Sequence, residues 1–102
     1  MLNQLIRASG VVARVALERH LFTVIDVRNL TIIINPPNKK KPEANDAIVT
    51  LVKNTVINAI QRSELESLFI VGNHCAHPRE TVTKEDVKRL IDRGRELASI
   101  IV

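Results

Sequence analysis

Apolar residues recur at three- and four-residue steps through the start of the chain: Leu2, Leu5, Ile6, Val12, Ala13, Ala16 and Leu17. Asn3, Arg7, Arg14 and Glu18 fall on another side. That spacing is helical, and Gly10 within it predicts a bend or a split. The pattern then changes. FTVIDVRNLTIIIN, residues 22–35, is dense in β-branched side chains, which suit a pleated strand better than a helix. Two strands are expected there, joined at Arg28-Asn29, because Asn tolerates positive φ. In the first, Phe22, Val24 and Asp26 alternate with Thr23, Ile25 and Val27. The second, Leu30 to Asn35, is apolar on both faces through Ile32, Ile33 and Ile34. Such a strand is central in its sheet or meets a partner subunit.

PPNKKKPE reads as a loop, with Pro36, Pro37 and Pro42 enclosing Lys39, Lys40 and Lys41. A long helix is expected from Glu43 to Arg62, with Ala47, Ile48, Leu51, Val52, Thr55, Ala59 and Ile60 as its buried stripe. Glu43 and Asp46 in its first turn and Arg62 in its last suit the helix dipole. SLFIVGN predicts a short third strand ending at Gly72. Thr83 can then cap a last helix, with Asp86 at the capping-box position. Val87, Leu90, Ile91, Gly94, Leu97, Ala98 and Ile101 form its apolar stripe, and Gly94 on that stripe reads as a close-packing contact. The resulting order is α-β-β-α-β-α over one globular domain, residues 1–102. The expected fold class is α+β, two-layer, with helices packed on a small mixed sheet. Open sheet edges, the isoleucine strand and the apolar ending ASIIV together predict a homodimer.

Composition sharpens the picture in two ways. Two phenylalanines with no tryptophan or tyrosine require an aliphatic core and leave few ligand-stacking surfaces. A single cysteine precludes an internal disulfide, so a reducing compartment is the default. No segment approaches the ~20 apolar residues of a membrane-spanning helix. The first residues carry arginines and no clean apolar core, so they do not read as a signal peptide. The cytoplasm is the expected location.

A net charge of +4 and a pI near 9.7 bring nucleic acid in as a candidate partner. The candidate phosphate contacts are Arg28, Lys39, Lys40 and Lys41. Aromatic stacking platforms are lacking, so any such binding is expected through phosphates alone and to be salt-sensitive. The last helix also carries basic residues, but Glu85–Arg89 and Lys88–Asp92 are i,i+4 pairs that neutralise much of its face.

GNHCAHPRE, residues 72–80, is the most chemical stretch. His74, Cys75, His77 and Arg79 there form a candidate functional loop. Zinc would need a third or fourth ligand that the chain scarcely offers, and neither paired CxxC motifs nor HExxH occur. Cys75 beside two histidines could be an activated thiol, though such pairs are normally assembled in space rather than in sequence. Arg79 and the histidines, with free amides at a helix start, could bind an anion. The simplest reading makes Cys75 a buried filler, in keeping with free cysteine elsewhere, and expects no metal and no cofactor. The second helix running into LFIVGNHCAHPRE is similar to part of the kink-turn RNA-binding ribosomal proteins. The preceding hairpin and the short C-terminal part depart from that fold, and no family is assigned.

No Gly-rich phosphate loop, GxSxG motif or close carboxylate pair points to an enzyme. The leading expectation is a non-enzymatic basic binding or assembly module contacting nucleic-acid phosphates through its lysine loop. A structural or protein-interaction subunit is the alternative. A small metal- or thiol-dependent enzyme using residues 74–80 is a third, distinct class.

Overall fold

In the computed structural model, which describes residues 2–102, Leu17, Leu21, Val24 and Ile25 are all buried. Their spacing of four, three and one is helical, and it runs straight through the segment expected to be a strand. The first helix, α1, therefore spans Leu2–Val27 without a break at Gly10. At about 1.5 Å per residue it matches the 42 Å long axis of the molecule. Three further helices follow: α2 (Ala44–Lys53), α3 (Ala59–Ala76) and α4 (Lys84–Ile100). The expected α+β class is overturned, because the described residues contain no strand and no sheet for helices to cover.

Each misplaced strand has its own physical reason. In Phe22–Val27 the β-branched residues pay only a small helix-propensity penalty, and tertiary burial of Leu21, Val24 and Ile25 outweighs it. SLFIVGN belongs to α3, where Leu65, Leu68, Phe69, Gly72 and Cys75 are buried at helical steps of three and four. Leu30 to Asn35 is irregular chain that ladders with no strand. Its Leu30 N–H still bonds back to the Ile25 carbonyl of α1 at 3.0 Å. Two further donors go to side chains of α2: Ile33 N–H to Thr50 Oγ1 at 2.9 Å and Asn35 N–H to Asp46 Oδ1 at 3.2 Å. Leu30 and Ile32 pack against the core, so this stretch is greasy because it lies on helices.

The single helix expected over residues 43–62 is two. α2 ends at Lys53, and Thr55 turns the chain with a φ of 56°. Asn58 then starts α3 with a reciprocal capping box: its Oδ1 accepts from Gln61 N at 2.8 Å, and its N–H donates to Gln61 Oε1 at 2.9 Å. Thr83 caps α4 by accepting from Asp86 N–H at 3.0 Å.

Helices α1, α3 and α4 contact one another in all three pairs, and α2 packs on α1 and α3. Gly10 faces Val87 and Gly94 faces Leu17, so α1 and α4 run parallel. Gly10 also faces Cys75, Gly72 faces Arg14, and Arg7 reaches His74, so α3 runs antiparallel to α1. Bidentate bonds from Arg93 to Glu64, at 2.5 and 2.7 Å, tie α4 to α3. No helix of the described residues is long and apolar enough to cross a membrane.

Candidate functional site

The candidate loop at residues 74–80 is largely the end of a helix. His74 and Cys75 lie in the last turn of α3, His77 is its C-cap, and Arg79 follows in an exposed turn. Cys75 is buried, and burial pushes its thiol pKa up, against a smaller opposing pull from Arg7. A thiol so placed is poorly disposed to act as a nucleophile. Its Sγ lies only 2.3 Å from where a Cβ at Gly10 would stand, so it fills the gap that the glycine leaves. Among the described residues no three His, Cys, Asp or Glu side chains are grouped as a metal ligand set.

Arg7, a basic residue on the polar side of the first helix by periodicity, organises this end of the molecule. Its Nη1 donates to the carbonyls of His74 at 2.9 Å and His77 at 3.0 Å, and its Nη2 to that of Glu80. These are carbonyls at and beyond a helix C-terminus, where backbone acceptors lack partners and cations are favoured. The histidines contribute their backbones to this contact, and Arg79 takes no part in it.

The lysine loop divides. Lys39 is drawn inward: its Nζ lies 2.6 Å from Asp46 Oδ2 and 3.6 Å from Glu43, and donates to the Asn35 carbonyl at 3.0 Å. The bond to Asp46 raises its pKa. Asp46 is 3% exposed and accepts from Glu43 N–H at 2.7 Å as well. That backbone bond first, and Lys39 second, hold its carboxyl below the usual range. Lys40 and Lys41 remain exposed. Arg28 is also committed, donating from Nε to the Val102 carbonyl at 2.7 Å. The four expected phosphate contacts thus do not form one cluster of free cations.

Two surface depressions remain. An open furrow of about 580 Å³ runs between α1 and α4, floored by small residues including Ala8, Ser9, Ala13, Ala16, Gly94 and Ala98. On its α1 side Leu5 and Val12 are each 68% exposed. A broader cleft of about 750 Å³ lies between the lysine loop, α1 and α3, and includes Arg14, Lys40, Lys41 and Ile70. Periodicity places Leu5 and Val12 on the apolar stripe of the first helix, and the structure shows both turned outward at the edge of α4. Comparison with models of protein families, with curated proteins and with solved structures finds no match to this chain.

Proposed function

We propose that this protein is a non-enzymatic binding and assembly module that forms a twofold dimer through the furrow between α1 and α4. The observation that carries this reading is the furrow itself. One face offers both projecting side chains, Leu5 and Val12, and a floor of small residues that could receive them. A surface bearing knobs and holes together is self-complementary, as a twofold interface requires. Exposed large aliphatics grouped on one face are the usual mark of an interaction surface. Ile100 and Val102 add exposed apolar area at the end of the chain, whereas Ile101 is buried.

Light scattering at micromolar concentration tests it. The expected mass is two chains, falling to one in Leu5→Glu and Val12→Glu. A one-chain mass for the unmodified protein across the accessible range defeats the proposal. Phosphate contact through the lysine loop is the weaker alternative, since Lys39 and Arg28 have internal partners. Lys40 and Lys41 alone would give a slope of only about −2 in log affinity against log salt.

A further inference from the structure

Arg14 is held firmly at its stem and used little at its head. An ideal Cβ at Gly72 would come within 2.6–2.8 Å of the Cβ, Cγ and Cδ of Arg14. The glycine therefore makes the channel through which the arginine stem crosses α3. The head that emerges is underemployed. Its nearest acid, Glu18, is 3.7 Å from Nη1, far looser than the 2.5 Å contact of Arg93 with Glu64. Its Nε is buried without any hydrogen-bond partner, a rare condition in a native fold that calls for an explanation. Arg14 lines the cleft beneath the lysine loop. By helical periodicity it lies on the opposite face of α1 from Leu5 and Val12, so this site is separate from the furrow.

The surroundings limit what the cleft can take. Lys40 and Lys41 stand at its rim without a salt-bridge partner among the described residues, and Ile70, 54% exposed, gives it an apolar wall. The same rim carries Glu18, Glu43 and Glu66. Those carboxylates have cations of their own, Arg14, Lys39 and Arg62, at 3.4–3.7 Å, so among the described residues the unpaired charges at this rim are Lys40 and Lys41. Two such lysines with the loosely held Arg14 are too few for a continuous polyanion and suit a ligand with one or two localised negative charges beside an apolar side chain. It would place its charge on Arg14, Lys40 and Lys41, and its hydrocarbon on Ile70.

We infer that the cleft between the lysine loop, α1 and α3 binds a short acidic, apolar peptide segment of a partner protein. Arg14 and the two lysines receive its carboxylates, and Ile70 receives an aliphatic side chain. Charge complementarity, combined with the exposed isoleucine, selects this occupant over nucleic acid.

The experiment is a titration of the isotopically labelled full chain, followed by amide chemical shifts. Three blocked probes are used: the tetrapeptide Glu-Leu-Leu-Glu, its basic counterpart Lys-Leu-Leu-Lys, and a twelve-nucleotide thymidine oligomer. The acidic peptide should give saturable shifts at Lys41, Ile70 and Asn73 in the millimolar range, with no saturable response to the basic one. Arg14→Gln should weaken that binding about fivefold or more. The double variant Lys40→Ala/Lys41→Ala, confined to an exposed loop, should do the same if Arg14→Gln fails to fold. Absence of shifts, equal response to both peptides, or stronger shifts at these amides with the oligomer would each overturn the inference. None of these readouts depends on the dimer.

Discussion

The two halves of α1 are made of similar residues and put them to opposite use. From Leu17 to Ile25 the large aliphatics point inward, with Leu17, Leu21, Val24 and Ile25 all buried. Before Leu17 the one buried position among the described residues goes to Gly10, packed on Cys75 and Val87. The stem of Arg14 packs on Gly72, and Ile6, Val11 and Ala13 reach the core only partly buried. The large side chains Leu5, Val12 and Val15 are left outside. A half-helix that buries glycine and shows leucine cannot owe its place to apolar burial alone. It is held by close backbone approach and by polar contacts, and its exposed aliphatics are free for another surface. The C-terminal half builds the core, and the N-terminal half presents the furrow.

Truncating one leucine in each half gives the largest contrast. Leu21 is fully buried, and Leu21→Ala should lower the unfolding free energy by about 3–5 kcal/mol through lost transfer energy and a residual cavity. Leu5→Ala should change it by less than about 0.5 kcal/mol, as for other exposed sites. Urea denaturation of dilute protein, where any dimer is dissociated, compares the two. Similar losses in both would erase the distinction between the halves.

The next effect concerns pH and the segment leaving the C-terminal end of α1. That segment is clasped to α2 through Asp46, whose carboxyl pKa is lowered in the fold. A lowered carboxyl pKa contributes stability that is present above the unfolded value, near 4, and is lost as pH falls through the folded value. Thermal stability should therefore decline below about pH 4, with part of that decline absent in Asp46→Asn. At neutral pH this substitution should cost about 2–3 kcal/mol, because it weakens charge-assisted bonds and leaves Lys39 without its closest partner. Glu64, held low by Arg93, adds to the acid sensitivity and persists in the variant as an internal reference. An identical acid profile in both proteins would remove Asp46 from the account.

How much of this was legible follows the same division. The Thr83 cap and the apolar stripe of α4 could be read because cap, periodicity and propensity agree there. In Phe22–Val27 and Ser67–Asn73 propensity and periodicity disagree, and burial at helical steps prevails over β-branching. The capping pair Asn58 and Gln61 was present in the sequence and marks the break between α2 and α3. The apolar stripe expected from Glu43 to Arg62 runs straight across that pair, so periodicity hides the break. Among the candidate site residues, Lys39 and Arg28 look like free cations in sequence. Their partners, Asp46 and the Val102 carbonyl, emerge only when the chain folds back. The contacts of Gly10 and Gly72 are equally invisible along the chain, since Gly10 meets Cys75 and Gly72 meets Arg14, partners on helices far away in sequence.

Close approach in the N-terminal half can be tested directly. Gly10→Ala would set a methyl 2.3 Å from Cys75 Sγ and 3.2 Å from its Cβ, so the helices must shift. The expected loss is about 2 kcal/mol, typical of overpacking. Cys75→Ala in the same chain removes the sulfur and should recover part of it, with a coupling energy of at least about 0.5 kcal/mol in a double-mutant cycle. Gly94→Ala is the control, because its nearest neighbour, Leu17 Cδ2, lies at 3.8 Å, which leaves room for a methyl. Equal destabilisation by both alanines would mean that helix spacing is not what Gly10 sets.

The smallest effect tests whether polar contact holds the N-terminal half where burial does not. Arg7 reaches three carbonyls, those of His74, His77 and Glu80, and so ties the start of α1 to the end of α3. Arg7→Met keeps much of the aliphatic stem and removes the donors. These carbonyls are close enough to the surface for water to replace the lost bonds, so the net cost should be only about 1 kcal/mol. Its location is the sharper readout. Amide hydrogen exchange should quicken in the first turns of α1 and the last turn of α3, while amides around Leu21 keep their protection. Arg7→Lys should behave like Arg7→Met, because a single ammonium on a shorter reach cannot match a planar fork bonded to three separate acceptors. Faster exchange throughout α1 would show that its halves unfold as one unit. Unchanged exchange at both helix ends would show that Arg7 is ornamental to the fold, and the N-terminal half would then need another anchor.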